Sequence, residues 1–249
     1  INGDNTDVQT MFVDVDEAKM KILIGNNSFL FVDEAQKIQN VGNMLKIVAD
    51  KFKDVKIIVT GSSAFKLAEA VNESLTGRKR EFKLYPLSFK EMADYAGVLD
   101  ESRMMEHRLI YGYYPEVVTS VGDEKEVIKE LIDSYLYKDV LEENNIAKPD
   151  HLVKLVQALA FQIGSTVSAT ELAGLVGIDA KTVERYIEIL EKSYIIFTIP
   201  SYAKNQRNEL KFARKIYFWD MGIRNGVIGN MAPVSLRSPE ALREWWIKT

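Results

Sequence analysis

The chain has 249 residues, 47% of them hydrophobic and 27% charged, with 14 Gly, 6 Pro and a formal net charge of −4. This balance excludes a disordered or fibrous chain and allows one large domain or two to three small ones. Cysteine is absent and the histidines are two, His107 and His151, which excludes disulfide scaffolds, thiolate metal sites and cysteine nucleophiles and argues against a multi-histidine metal site.

The sequence holds no apolar run approaching the ~20 residues needed to cross a bilayer, and it opens with no signal peptide. A cytoplasmic protein without a membrane partner is expected. The negative net charge offers no global argument for nucleic acid, so any such contact must come from a local basic patch. The chain starts with Ile1 and stops at Trp245-Trp246-Ile247-Lys248-Thr249, inside an apparent amphipathic helix. Both ends are expected to be cut points in a longer protein.

Phe29-Leu30-Phe31-Val32 reads as a strand buried on both faces. Residues 41–53 have helical spacing, with Met44, Leu45, Val48 and Phe52 on one side. Val55-Lys56-Ile57-Ile58-Val59 is a second strand, stopped by Gly61-Ser62-Ser63. Strand, helix, strand implies a right-handed parallel crossover, hence an α/β layer. A further helix is expected over 64–75. Pro86 then keeps Lys83-Leu84-Tyr85-Pro86-Leu87 extended.

Helices follow. Ser88 and Glu91 form a capping box for a helix through Tyr95. Residues 124–142 carry one stripe, Val127, Ile128, Leu131, Ile132, Tyr135 and Leu136. The polar stretch 142–149 reads as a linker. Three helices come next, lined by Leu152, Leu155, Val156, Leu159 and Ile163, then spanning about 169–175 up to Gly177, then about 180–192 with Val183, Ile187, Leu190 and Tyr194 inside. Strands at 194–199 and 215–219 complete the order of a winged helix, a helix-turn-helix with an added hairpin.

Phe29 to Glu34 is the sharpest chemical signal: four apolar residues, then Asp33-Glu34. A parallel strand delivers its last residues to the sheet edge where α/β proteins bind ligands. In nucleotide hydrolases the first such acid holds Mg²⁺ and the second polarises the attacking water. The other reading is a strand ending in a polar turn. Thr60-Gly61-Ser62-Ser63 puts hydroxyls at the same edge, where Thr60 or Ser62 beside Glu34 would orient a water; the alternative is an ordinary Gly-Ser turn. Thr76-Gly77-Arg78-Lys79-Arg80 is a basic cluster, either a solvated loop or a source of a γ-phosphate contact, in its own chain or across a subunit interface.

The order FLFVDEAQKI, IIVTGSSAF, LTGRKREFKLYPLSFKEM resembles a bacterial and archaeal family of AAA+-like P-loop ATPases. The likeness continues through SYLYKDVLEENNI, SATELAGLVGIDAKTVERYIEILEKSYIIF and KIYFWDMGIRNGVIG, which look like that family's C-terminal region. That region is a winged helix leading into a domain of uncharacterised function that has been compared to restriction-endonuclease folds.

The resemblance implies an α/β fold: a partial P-loop NTPase parallel sheet over 1–87, a helical connector or lid over 88–148, a winged helix over 149–220 and the start of a further domain over 221–249. It implies ATP and Mg²⁺ as cofactors and a nucleotide partner. Asp33 resembles the Walker B aspartate, holding Mg²⁺ through water, and Glu34 the catalytic glutamate. Thr60 and Ser62 fall in the sensor-1 segment, and Arg78 falls at the family's GR motif.

The chain departs from the family in one respect. It contains no G-x-x-x-x-G-K-[ST], and no glycine is followed by lysine. In the family that phosphate cradle lies just before the segment that Ile1-Asn2-Gly3-Asp4 resembles. The intact parent is expected to hydrolyse ATP and this chain to be inactive.

The alternative is a winged-helix module that binds DNA or drives assembly, including homo-oligomers, on a core that senses nucleotide without hydrolysing it. Lys181, Thr182 and Arg185 open the predicted recognition helix, and the wing carries Lys204, Arg207 and Lys211 against Glu209 alone. Glu184, Glu188 and Glu191 on the same helix favour a packing or dimer surface instead. The nuclease letters Pro149-Asp150 and Glu209-Leu210-Lys211 sit in a predicted linker and wing rather than on paired strands, which argues against two-metal chemistry there.

Overall fold

The computed structural model describes residues 1–61, 75, 77–143, 146, 148–199 and 214–237. The chain divides into two compact units, Ile1–Lys83 and Leu84–Thr249. The helix expected over 64–75 and most of the expected wing lie outside the described residues, as does the chain beyond 237. Among the described residues no helix is long and apolar enough to cross a membrane.

The first unit runs α1 (Thr6–Met11), α2 (Glu17–Ile24), β1 (Phe29–Val32), a 3₁₀ turn (Ala35–Lys37), α3 (Val41–Lys51) and β2 (Lys56–Val59). β1 and β2 are parallel, with Leu30 opposite Ile57 and Val32 opposite Val59. The first residues pair on the other side of β1: Ile1 N donates to Phe31 O, Asp33 N to Ile1 O and Gly3 N to Asp33 O, all within 2.8–2.9 Å. Leu30 and Val32 are buried with Phe12, Met20, Ile24, Met44, Leu45 and Val48. The predicted stripe of α3 therefore faces the sheet.

β1 is not buried on both faces, as its unbroken apolar run suggested. Phe29 and Phe31 are 49% and 44% exposed, beside Ile58 at 49%. The helices α2 and α3 pack on the Leu30–Val32 face, and side chains alternate across a strand.

The second unit begins with the extended segment at Tyr85. Its ring stacks on Trp219 at 4.2 Å and meets Tyr194 edge-on at 5.8 Å. The helices α4 (Phe89–Ala96), α5 (Val98–Arg103), α6 (Met105–Tyr111), α7 (Pro115–Thr119) and α8 (Glu124–Leu131) follow. Ser88 and Glu91 cap α4 reciprocally, as expected, and their hydrogen bonds hold the Glu91 carboxyl below the usual range.

The helix expected over 124–142 changes pitch. α8 passes into a π-helix (Ile132–Asp139) and then α9 (Val140–Glu143). Ile128, Ile132, Leu136 and Val140 are all buried and spaced by four. An α-helix rotates such a series by about 40° per step, so the wider π turns keep it facing the core.

α10 (Pro149–Phe161), β3 (Thr166–Val167), α11 (Ala169–Val176), α12 (Ala180–Lys192), β4 (Ile196–Ile199), β5 (Arg214–Phe218) and α13 (Met221–Val227) complete the described unit. The sheet order is β3-β5-β4, antiparallel throughout. β4 starts at Ile196 rather than Tyr194, because Tyr194 adopts a left-handed turn with φ 52°. One apolar core runs from Ile110 to Val227. It takes side chains from segments that the sequence suggested were connector, winged helix and the start of a further domain.

Glu101, Asn225 and Asp220, sealed in this unit, are paired, as burial requires, whereas His107 Nδ1 and His151 Nδ1 have no hydrogen-bond partner among the described residues. Glu101 accepts from Arg108 Nε at 3.1 Å and from the Tyr113 hydroxyl at 2.9 Å. Asn225, 0% exposed, donates to Leu109 O and Ile110 O and accepts from Arg224 and Arg237. Burial and the neighbouring Arg224 charge push the Arg237 pKa down to about 10. Asp220 caps α13 at Ile223 N and also accepts from Tyr113 N at 2.7 Å. A Cβ at Gly112 would stand 2.1 Å from the Asp220 carboxylate, so only glycine admits that contact. His107 Nε2 lies 3.2 Å from Glu124 Oε1.

Candidate functional site

At the carboxyl edge of the first unit the in-register pair after Val32 and Val59 is Asp33 and Thr60. Parallel register puts both on one face, and Thr60 Oγ1 donates to Asp33 Oδ1. Among the described residues Asp33 Oδ2 has no partner. The threonine hydroxyl thus holds the aspartate.

Glu34 follows in the left-handed region, φ 49° and ψ 43°, a sparsely populated conformation for a residue with a side chain. This turn lets Ala35 N donate to Thr60 O at 3.0 Å, locking the end of β1 to the end of β2. Glu34 Oε2 accepts from Gln36 Nε2 at 2.8 Å and lies 3.9 Å from Lys37 Nζ, which also reaches Asp4 Oδ1 at 2.5 Å.

Gly3 completes the edge. A Cβ there would sit 2.2 Å from Glu34 O, so the backbone of residues 1–3 can lie against Asp33-Glu34 only with glycine present. The sequence reading missed Gly3, Gln36 and Lys37. Only the run Asp33-Glu34-Ala35-Gln36-Lys37 signalled the last two, and nothing local signalled Gly3.

The other predicted residues are not gathered here. Arg78 Nη1 donates to Asp50, next to the last residue of α3. Because α3 returns from the carboxyl end of β1 to the start of β2, that contact lies toward the opposite edge. Ser62 lies outside the described residues. Among the described residues no three His, Cys, Asp or Glu side chains form a cluster able to hold a metal ion by themselves. One aspartate with an available oxygen fits an ion shared with substrate phosphates, the usual mode of Mg²⁺.

In the second unit α11 ends at Gly177 in the left-handed conformation and Asp179 caps α12. Asp179 Oδ2 accepts from Thr182 Oγ1 at 2.6 Å and Oδ1 from Thr182 N at 2.9 Å. The Thr182 hydroxyl and backbone hold the Asp179 carboxyl below its ordinary range. Lys181 and Arg185 are exposed, as are Glu184 and Glu188. Glu188 pairs with Lys192 at 2.7 Å, while Glu191 turns away to accept from Thr198 N. The exposed start of α12 is therefore mixed in charge. Lys204, Arg207 and Lys211 lie outside the described residues, as does the Glu209-Leu210-Lys211 triplet. Asp150 sits in the first turn of α10.

Residues 102–233, more than half of the chain, match a family described as a domain of unknown function, DUF8612, and residues 1–93 match the AAA domain family. An uncharacterised protein of Haemophilus influenzae is 26% identical over 212 residues, which cover 81% of this chain and 52% of that protein. An uncharacterised protein of Methanocaldococcus jannaschii is 26% identical over 204 residues, covering 74% of this chain and 46% of its own length. One from Mycobacterium bovis is 22% identical over 230 residues, covering 91% and 50%. The chain thus spans about half the length of the curated relatives it matches. No solved structure matches it significantly.

Proposed function

The chain belongs to the family of the domain of unknown function DUF8612, here joined to an AAA domain, and from this premise we propose that it is part of an AAA+-like ATPase. The observation that carries the reading is the Thr60–Asp33 hydrogen bond at the carboxyl edge of two parallel strands, with Glu34 next in line. Asp33 would hold hydrated Mg²⁺, which supplies charge neutralisation on the nucleotide phosphates. Glu34 would polarise the attacking water, Thr60 would position Asp33, and Ser62 remains the candidate for orienting the water. Arg78, held by Asp50, suits a phosphate presented by a second copy better than one in its own chain.

No phosphate-binding lysine loop occurs in this sequence. We therefore expect the 249-residue chain alone neither to bind ATP tightly nor to hydrolyse it, and the longer parent to do both. The decisive experiment is ATP turnover by the parent, with and without DNA, beside its Glu34→Gln variant. Removing a general base costs about 10²- to 10⁴-fold. A loss of that size is expected, and turnover indifferent to Glu34 would refute the assignment.

A second reading concerns α10 to β5. The order helix, strand, helix, helix, strand, strand with sheet order β3-β5-β4 supports a winged helix, and Lys181 and Arg185 at the start of α12 support contact with DNA phosphates. Loss of DNA affinity on changing Lys204, Arg207 and Lys211 to Glu is the expected result. Unchanged affinity would leave α12 as an assembly surface.

A further inference from the structure

We propose that the second unit binds a small organic anion in the cavity between the start of α10, the end of α11 and the first turns of α12. The cavity measures about 700 Å³, inside the roughly 300–1,000 Å³ of small-molecule sites. Ala173, Gly174, Gly177 and Ile178 line it on one side, and Lys148, Arg185 and Tyr186 on others.

Three observations set the ligand's chemistry. Lys148 and Arg185 are exposed cations on separate elements, and among the described residues neither has an ion-pair partner. Asp179, the acid in the lining, keeps its negative charge but is outnumbered by Lys148 and Arg185, so the net positive lining favours an incoming anion. Arg185 presents a fork suited to a carboxylate or phosphate head.

Tyr186, 5% exposed, contributes to the cavity wall.

Gly174 lies inside α11, where glycine weakens a helix, and a Cβ there meets nothing within 4 Å. Among the described residues no packing requires glycine at this position. A bare backbone beside Ala173 and Ile178 admits the flat apolar body of a ligand whose head group lies between Lys148 and Arg185. Thr182 and Arg185 belong also to the proposed DNA surface, so the anion would compete with DNA; the site itself does not rest on that reading.

The test is thermal unfolding of the 249-residue chain with phenyl phosphate, benzoate, benzyl alcohol and inorganic phosphate. A saturable rise in Tm with one or both aromatic anions is expected, and the stronger of the two identifies the head group. Benzyl alcohol and inorganic phosphate should give none. Gly174→Phe fills the cavity from a position with open space, and Arg185→Gln removes the fork from an exposed site. Each should weaken the apparent affinity by about tenfold or more. Should Gly174→Phe lower the unliganded Tm, Arg185→Gln alone decides. The site is overturned by no saturable rise with either anion, by an equal rise with benzyl alcohol or inorganic phosphate, or by a rise that Arg185→Gln leaves unchanged.

Discussion

In the unit Ile1–Lys83 the groups arranged for chemistry stand at a strand edge, half-buried, with Thr60 on Asp33 and with Gln36 and Lys37 about Glu34. In the unit Leu84–Thr249 the comparable acids are sealed. Glu101 is 1% exposed beneath Arg108 and Tyr113, and Asp220 is buried against Gly112 and the start of α13. The difference separates two uses of a carboxylate. One that keeps an oxygen available at an open edge can meet a ligand. One whose oxygens are spent on the protein's own donors holds elements together and is costly to disturb.

The largest effect should come from the sealed acids. Glu101→Ala leaves the Arg108 guanidinium buried without its acid, a change that typically costs about 3–5 kcal/mol. Chemical denaturation should show that loss in the second unit. A cost near zero would place Glu101 with the edge carboxylates and erase the contrast.

Gly3→Ala tests the open edge. The new Cβ must displace the Glu34 carbonyl, 2.2 Å from its position, and overpacking of this kind costs about 1–3 kcal/mol. The expected outcome is loss of the Asn2–Asp33 pairing, read by amide exchange at Asp33 and Gly3. Melting of the second unit should not change.

The smallest effect is on pH. Burial works to raise the Glu124 pKa, but the backbone N–H groups of Glu124 and Gly122 and then His107 outweigh it, so the folded value lies below 4.5. A depressed folded pKa gives stability that is present above the unfolded value and lost as pH falls through the folded one. The second unit should therefore weaken as pH drops below about 4.5, and Glu124→Gln should flatten that slope. An unchanged slope would assign the acid sensitivity to other carboxylates.

Much of the fold was legible because its signals are local. The helix predicted at 180–192 is found at Ala180–Lys192, since Gly177 stops the helix before it, Asp179 caps it and the buried stripe has helical period. The Ser88 and Glu91 box and the parallel crossover from β1 to β2 were read from spacing in the same way. The short β3 and the π turns escaped because two residues make no pattern, and because a stripe spaced by four fits an α-helix nearly as well.

The sequence by itself determined where Asp33 and Glu34 would fall, because a run of apolar residues ending in two acids can terminate a buried strand in only a few ways. Tertiary structure alone decided that Thr60, 27 residues on, would hold Asp33, and that Gly3 would make room for the turn at Glu34. It also decided that Arg78 would go to Asp50, and that Asn225 would join α6 to α13 across more than a hundred residues. Periodicity and caps act within a few residues of one another, while these contacts depend on which distant backbone a fold brings within hydrogen-bond reach.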